Sequence, residues 1–156
     1  MTVTRRPADW IDHAPLQIVA ARLLAVPADA VWDRIVDHAT WPEWFTGVRR
    51  ITPGSPAEGV GGTRRVELTG VTIDEEFTEW EPRRRFAFTV VATSRPFVRS
   101  LNERVDIEEI DESSSRVTYT QGWDPLPAVG VGLRLLRRPV TRRVGRALER
   151  LGALAG

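Results

Sequence analysis

The 156-residue chain contains no cysteine and no lysine. Without cysteine, disulfides, thiolate nucleophiles and cysteine-ligated metal sites are excluded. Without lysine, no side-chain amine is present for a Schiff-base mechanism. All 22 basic residues are therefore arginine, a bias that we attribute to codon composition rather than to function.

Several catalytic and targeting motifs are also missing. Arg5 and Arg6 are followed by proline, aspartate and tryptophan instead of the apolar stretch of a signal peptide. No apolar run is long enough to cross a bilayer. His13 and His38 lie far apart without a ligand spacing, so we expect no metal and no cofactor. Together with the absence of cysteine, these features predict a cytoplasmic protein.

The arginines are concentrated near the C-terminus. The net charge of the whole chain is only +1, yet residues 128–156 carry seven arginines and a single glutamate. We interpret this segment as a solvated helix face, and alternatively as a surface for transient contact with an anionic membrane. Nucleic acid is the least favoured partner, because the rest of the chain is net acidic and contains no recognisable base-stacking module.

The chain divides into a short arm and one folded domain. Residues 1–15 are polar and aperiodic and predict a flexible arm, whereas residues 16–156 have the length of a single domain. Residues 16–26 are apolar and β-branched, as in a strand. Pro27 suits the first turn of the amphipathic helix that follows. A second short helix or turn is predicted at residues 41–44.

Short strands separated by turns follow the predicted helices. The six segments are 48–52, 63–68, 71–80, 85–93, 101–110 and 116–123. Consecutive strands with short turns form antiparallel sheets, which predicts an α+β fold. A long C-terminal helix should follow residue 127 and should kink at Pro139, because an interior proline costs about 3 kcal/mol in a straight helix.

Two segments together carry a family resemblance. The first contains Val26-Pro27-Ala28, Val31-Trp32, Asp37, Trp41 and Trp44, and the second reads Trp80-Glu81-Pro82-Arg83-Arg84 ahead of the terminal helix. This combination resembles the START-like superfamily, also called SRPBCC, which contains polyketide cyclases and lipid-transport proteins with the Bet v 1-type fold. The resemblance implies a helix-grip fold, in which a curved sheet of about seven antiparallel strands wraps around the C-terminal helix. It also implies two short helices between the first two strands and a cavity for a small hydrophobic ligand.

Strand alternation places several polar side chains on the same face as the apolar ones. In each predicted strand the apolar residues share one parity, and Arg64, Glu75, Glu103 and Gln121 have that parity too. An unpaired buried carboxylate costs several kcal/mol or stays protonated. Inward-facing Glu75 and Glu103 therefore predict contacts with Arg64, Tyr119, water or a ligand. The alternative is that both lie near strand ends and reach solvent.

An apolar cavity with a few convergent polar groups is the usual composition of a small-molecule site. The predicted ligand-binding residues are Trp41, Trp44, Arg64, Val66, Ile73, Glu75, Phe77, Phe86, Phe88, Glu103, Val105, Tyr119, Gln121, Leu133, Leu136 and Val140. Trp41 and Trp44 either line the mouth of the cavity or form a hydrophobic latch between helix and sheet. His38 is expected to cap the first helix.

Three hypotheses of function follow. The first is binding of a lipid, polyketide or aromatic molecule between the sheet and the C-terminal helix, driven by apolar burial. The second is a polyketide aromatase/cyclase in which Glu75 or Glu103 acts as general base and Tyr119 or Arg64 polarises a carbonyl. The third is an interaction module that uses the basic C-terminal helix. The sequence contains no catalytic motif that selects the enzyme, and it leaves ligand identity and oligomeric state open.

Overall fold

The computed structural model describes residues 1–156 and contains one antiparallel sheet with helices at one face. The strands are β1 (Leu16–Leu24), β2 (Val48–Pro53), β3 (Thr63–Leu68), β4 (Val71–Glu81), β5 (Arg85–Thr93), β6 (Val98–Asp111) and β7 (Ser114–Pro125). The helices are α1 (Ala28–Val36), α2 (Trp41–Trp44), α3 (Pro127–Leu135) and α4 (Arg137–Ala155). The strand order is β1-β7-β6-β5-β4-β3-β2, which leaves β1 and β2 at the edges. The predicted helix-grip α+β fold is confirmed.

The hydrophobic core lies between the sheet and α4. Most of the apolar side chains predicted to face inward from the strands are buried, among them Val66, Ile73, Phe77, Phe86, Phe88, Val90, Leu101, Val105, Ile107, Val117 and Tyr119. Leu68 and Val71, predicted on the same face, are half-buried. Helix α4 contributes Val144, Leu148 and Leu151 to the same cluster. Each such aliphatic or aromatic side chain contributes about 1.5–3 kcal/mol on burial, so the shared parity of the strands fixes which face packs against the helix.

Helix α1 begins where the sequence predicts it. Pro27 is extended, with φ −68° and ψ 156°, and Asp29 lies in the first helical turn. Its charge is favourable there because the N-terminus of a helix carries a partial positive charge. Val31, Trp32 and Ile35 recur at helical spacing and are all buried. The helix therefore packs one apolar face onto the domain.

The C-terminal helix does not have the predicted kink at Pro139. The chain breaks at Leu136, which leaves two helices, and Pro139 lies in the first turn of α4. The first turn is the part of a helix in which backbone N–H groups have no intrahelical acceptor, so a proline there sacrifices no hydrogen bond. The break three residues earlier thus removes the cost that an interior proline would impose.

Residues 1–15 do not form the flexible arm that the sequence predicts. Beyond the pair Thr89–Asn102 the strands β5 and β6 separate, and the first residues of the chain lie between them. The Val3 amide donates to Val91 O at 3.0 Å, and the Thr4 amide donates to Arg99 O at 2.8 Å. Because these bonds satisfy backbone groups that the separating strands leave open, the segment completes the sheet there.

A short 3₁₀ segment, Ala8–His13, then crosses the outer face of the sheet. Ile11 is only 1% exposed and lies over Gly122, where a Cβ atom would come within 2.8 Å of the isoleucine side chain. Glycine at this position is therefore what allows the close approach. None of the helices in the protein combines the length and hydropathy needed to cross a bilayer.

Candidate functional site

A cavity of about 340 Å³ lies between the inner face of the sheet and the C-terminal helices. Its apolar wall consists of Trp41, Phe45, Val48, Val66, Leu68, Val71, Ile73, Phe88, Phe97, Leu101, Tyr119, Trp123, Leu133, Val140 and Val144. Its polar groups are Arg64, Glu75, Glu103, Gln121 and, at the rim, Thr46, Thr69 and Arg143. The volume lies at the lower end of the range for small-molecule pockets.

A larger depression, of about 810 Å³, lies at the opposite end of the strands beside the β4–β5 turn. Its lining is almost entirely charged, and the arginines there are engaged in ion pairs. Arg85 contacts Asp106 at 2.6 Å and Arg116 contacts Glu108 at 2.7 Å. This surface therefore lacks the apolar wall that a hydrophobic ligand requires, and the smaller inner cavity is the candidate site.

Most of the predicted ligand-binding residues line the inner cavity. They are Trp41, Arg64, Val66, Ile73, Glu75, Phe88, Glu103, Tyr119, Gln121, Leu133 and Val140. The polar residues among them are buried within the strands, so the alternative in which Glu75 and Glu103 reach solvent at strand ends is wrong.

Five other predicted residues do not line it. Trp44, Phe77, Phe86 and Val105 are buried in the core, and Leu136 is 56% exposed. Phe77 and Phe86 pack against each other at 5.1 Å between ring centroids, and Trp44 packs at 4.4 Å against Trp41. Trp44 therefore belongs to the latch between helix and sheet, whereas Trp41 belongs both to the latch and to the cavity wall. Leu136 points outward because the helix breaks at that residue.

Arg64 and Glu75 form a buried ion pair on the cavity wall. The two residues are directly opposed in the register of β3 and β4, and Arg64 Nε donates to Glu75 Oε2 at 2.6 Å. The side chains are 1% and 3% exposed. Burial raises the pKa of Glu75, while the charge and hydrogen bond of Arg64 oppose that shift. The ion pair thus compensates both charges at a position where neither side chain reaches water.

His38 completes the surroundings of Arg64. Arg64 Nη1 lies 3.2 Å from His38 Nδ1, and His38 Nε2 lies 3.3 Å from the carbonyl oxygen of Ala57. Because a guanidinium only donates hydrogen bonds, Nδ1 must accept and Nε2 must carry the proton. Burial, followed by the charge of Arg64, lowers the pKa of His38 to about 4, in agreement with a neutral ring.

Four aromatic rings surround the same guanidinium. Its central carbon lies 4.1 Å from the ring centroid of Trp41, 4.7 Å from that of Phe88, and slightly further from Phe86 and Phe77. Cation–π contacts of this kind strengthen when the cation is desolvated. Arg64 is thus held in one orientation by an ion pair, a histidine and an aromatic box.

Glu103, Tyr119 and Gln121 form a second polar group deeper along the sheet. The Tyr119 hydroxyl donates to Glu103 Oε2, and Gln121 faces Glu103 across the β6–β7 ladder. Burial, followed by the neighbouring charge of Glu75, raises the pKa of Glu103 to about 7. Burial also raises the pKa of Tyr119 well above its usual value, so the phenol stays protonated. Near neutral pH the Glu103 carboxyl group is therefore poised between its two protonation states.

The predicted ligand-binding residues omit eight residues of the apolar wall, namely Phe45, Val48, Leu68, Val71, Phe97, Leu101, Trp123 and Val144. Two polar contributors were missed as well. His38, expected to cap α1, instead lies in a 3₁₀ turn and contacts Arg64. Arg143 of α4 donates from Nη2 to the carbonyl oxygen of Thr46 at 2.6 Å, across Gly47. A Cβ atom at Gly47 would lie 2.4 Å from that guanidinium nitrogen, and its φ of +102° also favours glycine. The bond joins α4 to the α2–β2 loop at the rim of the cavity.

A family model described as polyketide cyclase / dehydrase and lipid transport matches residues 15–156. Uncharacterized proteins of Mycobacterium tuberculosis and Mycobacterium bovis are 34% identical over 99 residues, which is 62% of this chain and 59% of theirs. The matched region thus spans somewhat more than half of those curated relatives.

Solved structures share the fold at low sequence identity. Zhui aromatase/cyclase from a Streptomyces species has a TM-score of 0.74 at 17% identity, covering 90% of this chain and 93% of that one. A START superfamily protein from Mycobacterium smegmatis has a TM-score of 0.72 at 13% identity, covering 88% and 98%. The di-domain aromatase/cyclase BexL has a TM-score of 0.68 at 19% identity, covering 88% of this chain and 45% of that one.

Proposed function

Because this chain belongs to the polyketide cyclase / dehydrase and lipid transport family, we propose that its cavity binds a small, neutral, hydrophobic molecule bearing a carbonyl or hydroxyl group. The observation that supports this proposal best is the composition of the cavity, in which the buried Glu103–Tyr119 pair faces a wall of aliphatic and aromatic side chains. Apolar burial supplies the driving force, at about 25 cal/mol per Å² before the costs of association.

The charges in the cavity favour a neutral ligand. Arg64 is already paired with Glu75 and hydrogen bonded to His38, so its charge is not free to compensate an anion. Glu103 can carry a negative charge near neutral pH, which would repel a ligand carboxylate. A neutral carbonyl or hydroxyl group, in contrast, could exchange a hydrogen bond with the Glu103 carboxyl group or with the Gln121 amide without burying a further charge.

Enlarging a cavity-wall side chain should weaken ligand binding without disturbing the fold. Val66 lines the cavity, so Val66→Phe should place its ring in the empty volume and reduce the affinity for naphthol by about tenfold or more, at a cost in stability below about 1.5 kcal/mol. Isothermal titration calorimetry with naphthol and urea unfolding measure the two quantities.

Val105→Phe is the matched control for that experiment. Val105 is fully buried on the same face of the sheet but does not line the cavity. The added ring therefore has no space, and we expect a loss of about 1–3 kcal/mol in stability. If both variants lose stability equally while Val66→Phe binds naphthol as well as the parent protein does, the cavity is not a binding site.

The Glu103–Tyr119 pair also supports a second function, that of a cyclase or aromatase. A general base works best when its pKa lies near the operating pH, and the pKa of Glu103 is raised to about 7. Two of the solved structures with the same fold are described as aromatase/cyclases. Replacing Glu103 by glutamine separates the two functions. A carrier should keep its affinity within a few-fold, whereas an enzyme should lose about 10²–10⁴ in turnover of a poly-carbonyl substrate.

A further inference from the structure

Three aliphatic side chains project into solvent where α3 meets α4. Leu135 is 79% exposed, and Val131 and Leu136 are each 56% exposed. Leu136 is the residue at which the helix breaks, and Val131 and Leu135 lie in the last turns of α3 just before it. Leu133 and Val140, on either side of the break, face the cavity instead. The exposed cluster Val131, Leu135 and Leu136, which we call the apolar tip, therefore adjoins the cavity rim.

Unpaired arginines surround the apolar tip. Arg134, Arg137, Arg138 and Arg142 are exposed and make no ion pair. Most arginines on the sheet are paired instead: Arg65 pairs with Asp74 at 2.7 Å, for example. A codon bias toward arginine explains why every cation is arginine, but it does not explain why four neighbouring arginines at the tip all lack acidic partners.

A shallow groove shows how these cations are arranged. Arg137, Arg138 and Arg142 line it together with Thr141 and the exposed Val19 of edge strand β1. The groove thus combines three guanidinium groups, a hydroxyl and an aliphatic side chain. Guanidinium groups bind phosphate oxygens through paired N–H donors.

We propose that the apolar tip and its surrounding arginines dock the protein on an anionic lipid bilayer. Basic residues attract the negatively charged surface of a bilayer, and adjacent aliphatic side chains enter the boundary between headgroups and acyl chains. Nucleic acid would also satisfy the arginines, but it would leave Leu135 and Leu136 exposed to water. Docking in this orientation places the cavity rim at the bilayer surface, and it does not depend on which molecule the cavity holds.

Co-sedimentation of the full chain with lipid vesicles tests this proposal. We expect binding to vesicles of phosphatidylcholine mixed with phosphatidylserine, and much weaker binding to pure phosphatidylcholine and to duplex DNA. Raising the salt from about 0.1 M to about 1 M should release the protein, because the screening length falls from about 10 Å to about 3 Å.

Two double variants separate the charged and apolar contributions. Arg138→Gln with Arg142→Gln should weaken vesicle binding by about 20-fold, since two surface-facing charges are removed. Leu135→Gln with Leu136→Gln should weaken it by about tenfold through lost apolar insertion. All four side chains are exposed, so circular dichroism should show an unchanged fold and melting temperature.

Arg84→Gln with Arg116→Gln is the control, because it removes the same charge at the opposite end of the strands. Its vesicle binding should stay within about twofold of the parent protein. The proposal is overturned if the parent protein does not bind the anionic vesicles, if the control weakens binding as much as the tip variants do, or if duplex DNA binds at least as tightly. It is equally overturned if the leucine variant binds like the parent protein.

Discussion

Replacing Arg64 by methionine is expected to lower the free energy of unfolding by about 3–5 kcal/mol. The substitution leaves the Glu75 carboxylate buried without its partner, at a position where its side chain is only 3% exposed. It also removes the hydrogen bond to His38 and the cation in the aromatic box. Urea unfolding at neutral pH measures the loss. The m value, which is the slope of the free energy of unfolding against urea concentration, is compared between variants.

The adjacent residue provides a matched control. Arg65 pairs with Asp74 at 2.7 Å in the next rung of the same two strands, but on the solvent face, where the two side chains are 61% and 34% exposed. Arg65→Met should cost no more than about 1 kcal/mol. Arg64→Met combined with Glu75→Leu should recover most of the loss, because no charge is then left unpaired. Equal losses for Arg64→Met and Arg65→Met would contradict a buried pair.

Replacing Glu103 by glutamine should stabilise the protein increasingly as the pH rises. The folded-state pKa of Glu103 is raised from 4.5 to about 7, so between these values the folded protein binds more protons than the unfolded chain. Stability contributed by this group is fully present below about pH 4.5 and is lost as the pH rises to about 7. The glutamine variant lacks this loss, which amounts to about 3 kcal/mol above pH 7.

The pH dependence of stability must be compared between variant and parent protein, because the ionisation of His38 changes stability in the opposite direction. Its pKa is lowered from 6.5 to about 4, so its contribution to stability rises with pH over much of the same window. The parent protein alone should therefore show a weak pH dependence, whereas the difference between Glu103→Gln and parent should grow from pH 5 to pH 8. Glu108 lies on the same strand and forms an exposed ion pair with Arg116, so Glu108→Gln is the control. The stability difference between this variant and the parent protein should not grow with pH. A difference for Glu103→Gln that is constant with pH would mean that this carboxyl group does not titrate inside the cavity.

The sequence pattern was sufficient to place the inward-facing polar residues. Side chains alternate strictly along a strand, so apolar residues of one parity carry Arg64, Glu75, Glu103 and Gln121 to the same face. The register of β3 and β4 then opposes Arg64 to Glu75, and that of β6 and β7 opposes Glu103 to Gln121. The direct contacts within each group follow from that register.

Parity could not decide which inward residues face empty space. Phe77 and Phe88 are directly paired across β4 and β5 and both face inward, yet only Phe88 lines the cavity. The difference depends on which stretch of each strand the helices cover, and the sequence contains no local signal for that. The contact between His38 and Arg64 is similarly non-local, because it joins a 3₁₀ turn to a strand 26 residues away.

The position of the helix break was wrong for a related reason. Proline signals that a straight helix is unfavourable, but it is tolerated within the first turn, so the break can occur upstream of it. Here the break lies at Leu136, and the exposed leucines at the break are the basis of the proposed docking surface. The N-terminal segment was likewise misjudged, since its hydrogen bonds to Val91 and Arg99 depend on the separation of β5 and β6.

The central claim is that the cavity accepts a neutral oxygen-bearing hydrophobic molecule. Comparing the affinities for naphthol and naphthoate tests this claim most directly. Both probes present the same ring system, but naphthoate adds a carboxylate that Arg64, engaged by Glu75 and His38, cannot compensate. Calorimetric titration at pH 8 should give an affinity for naphthol that exceeds that for naphthoate by about tenfold or more, because burying an uncompensated charge costs several kcal/mol. Tighter binding of naphthoate, or no binding of either probe, would contradict the claim.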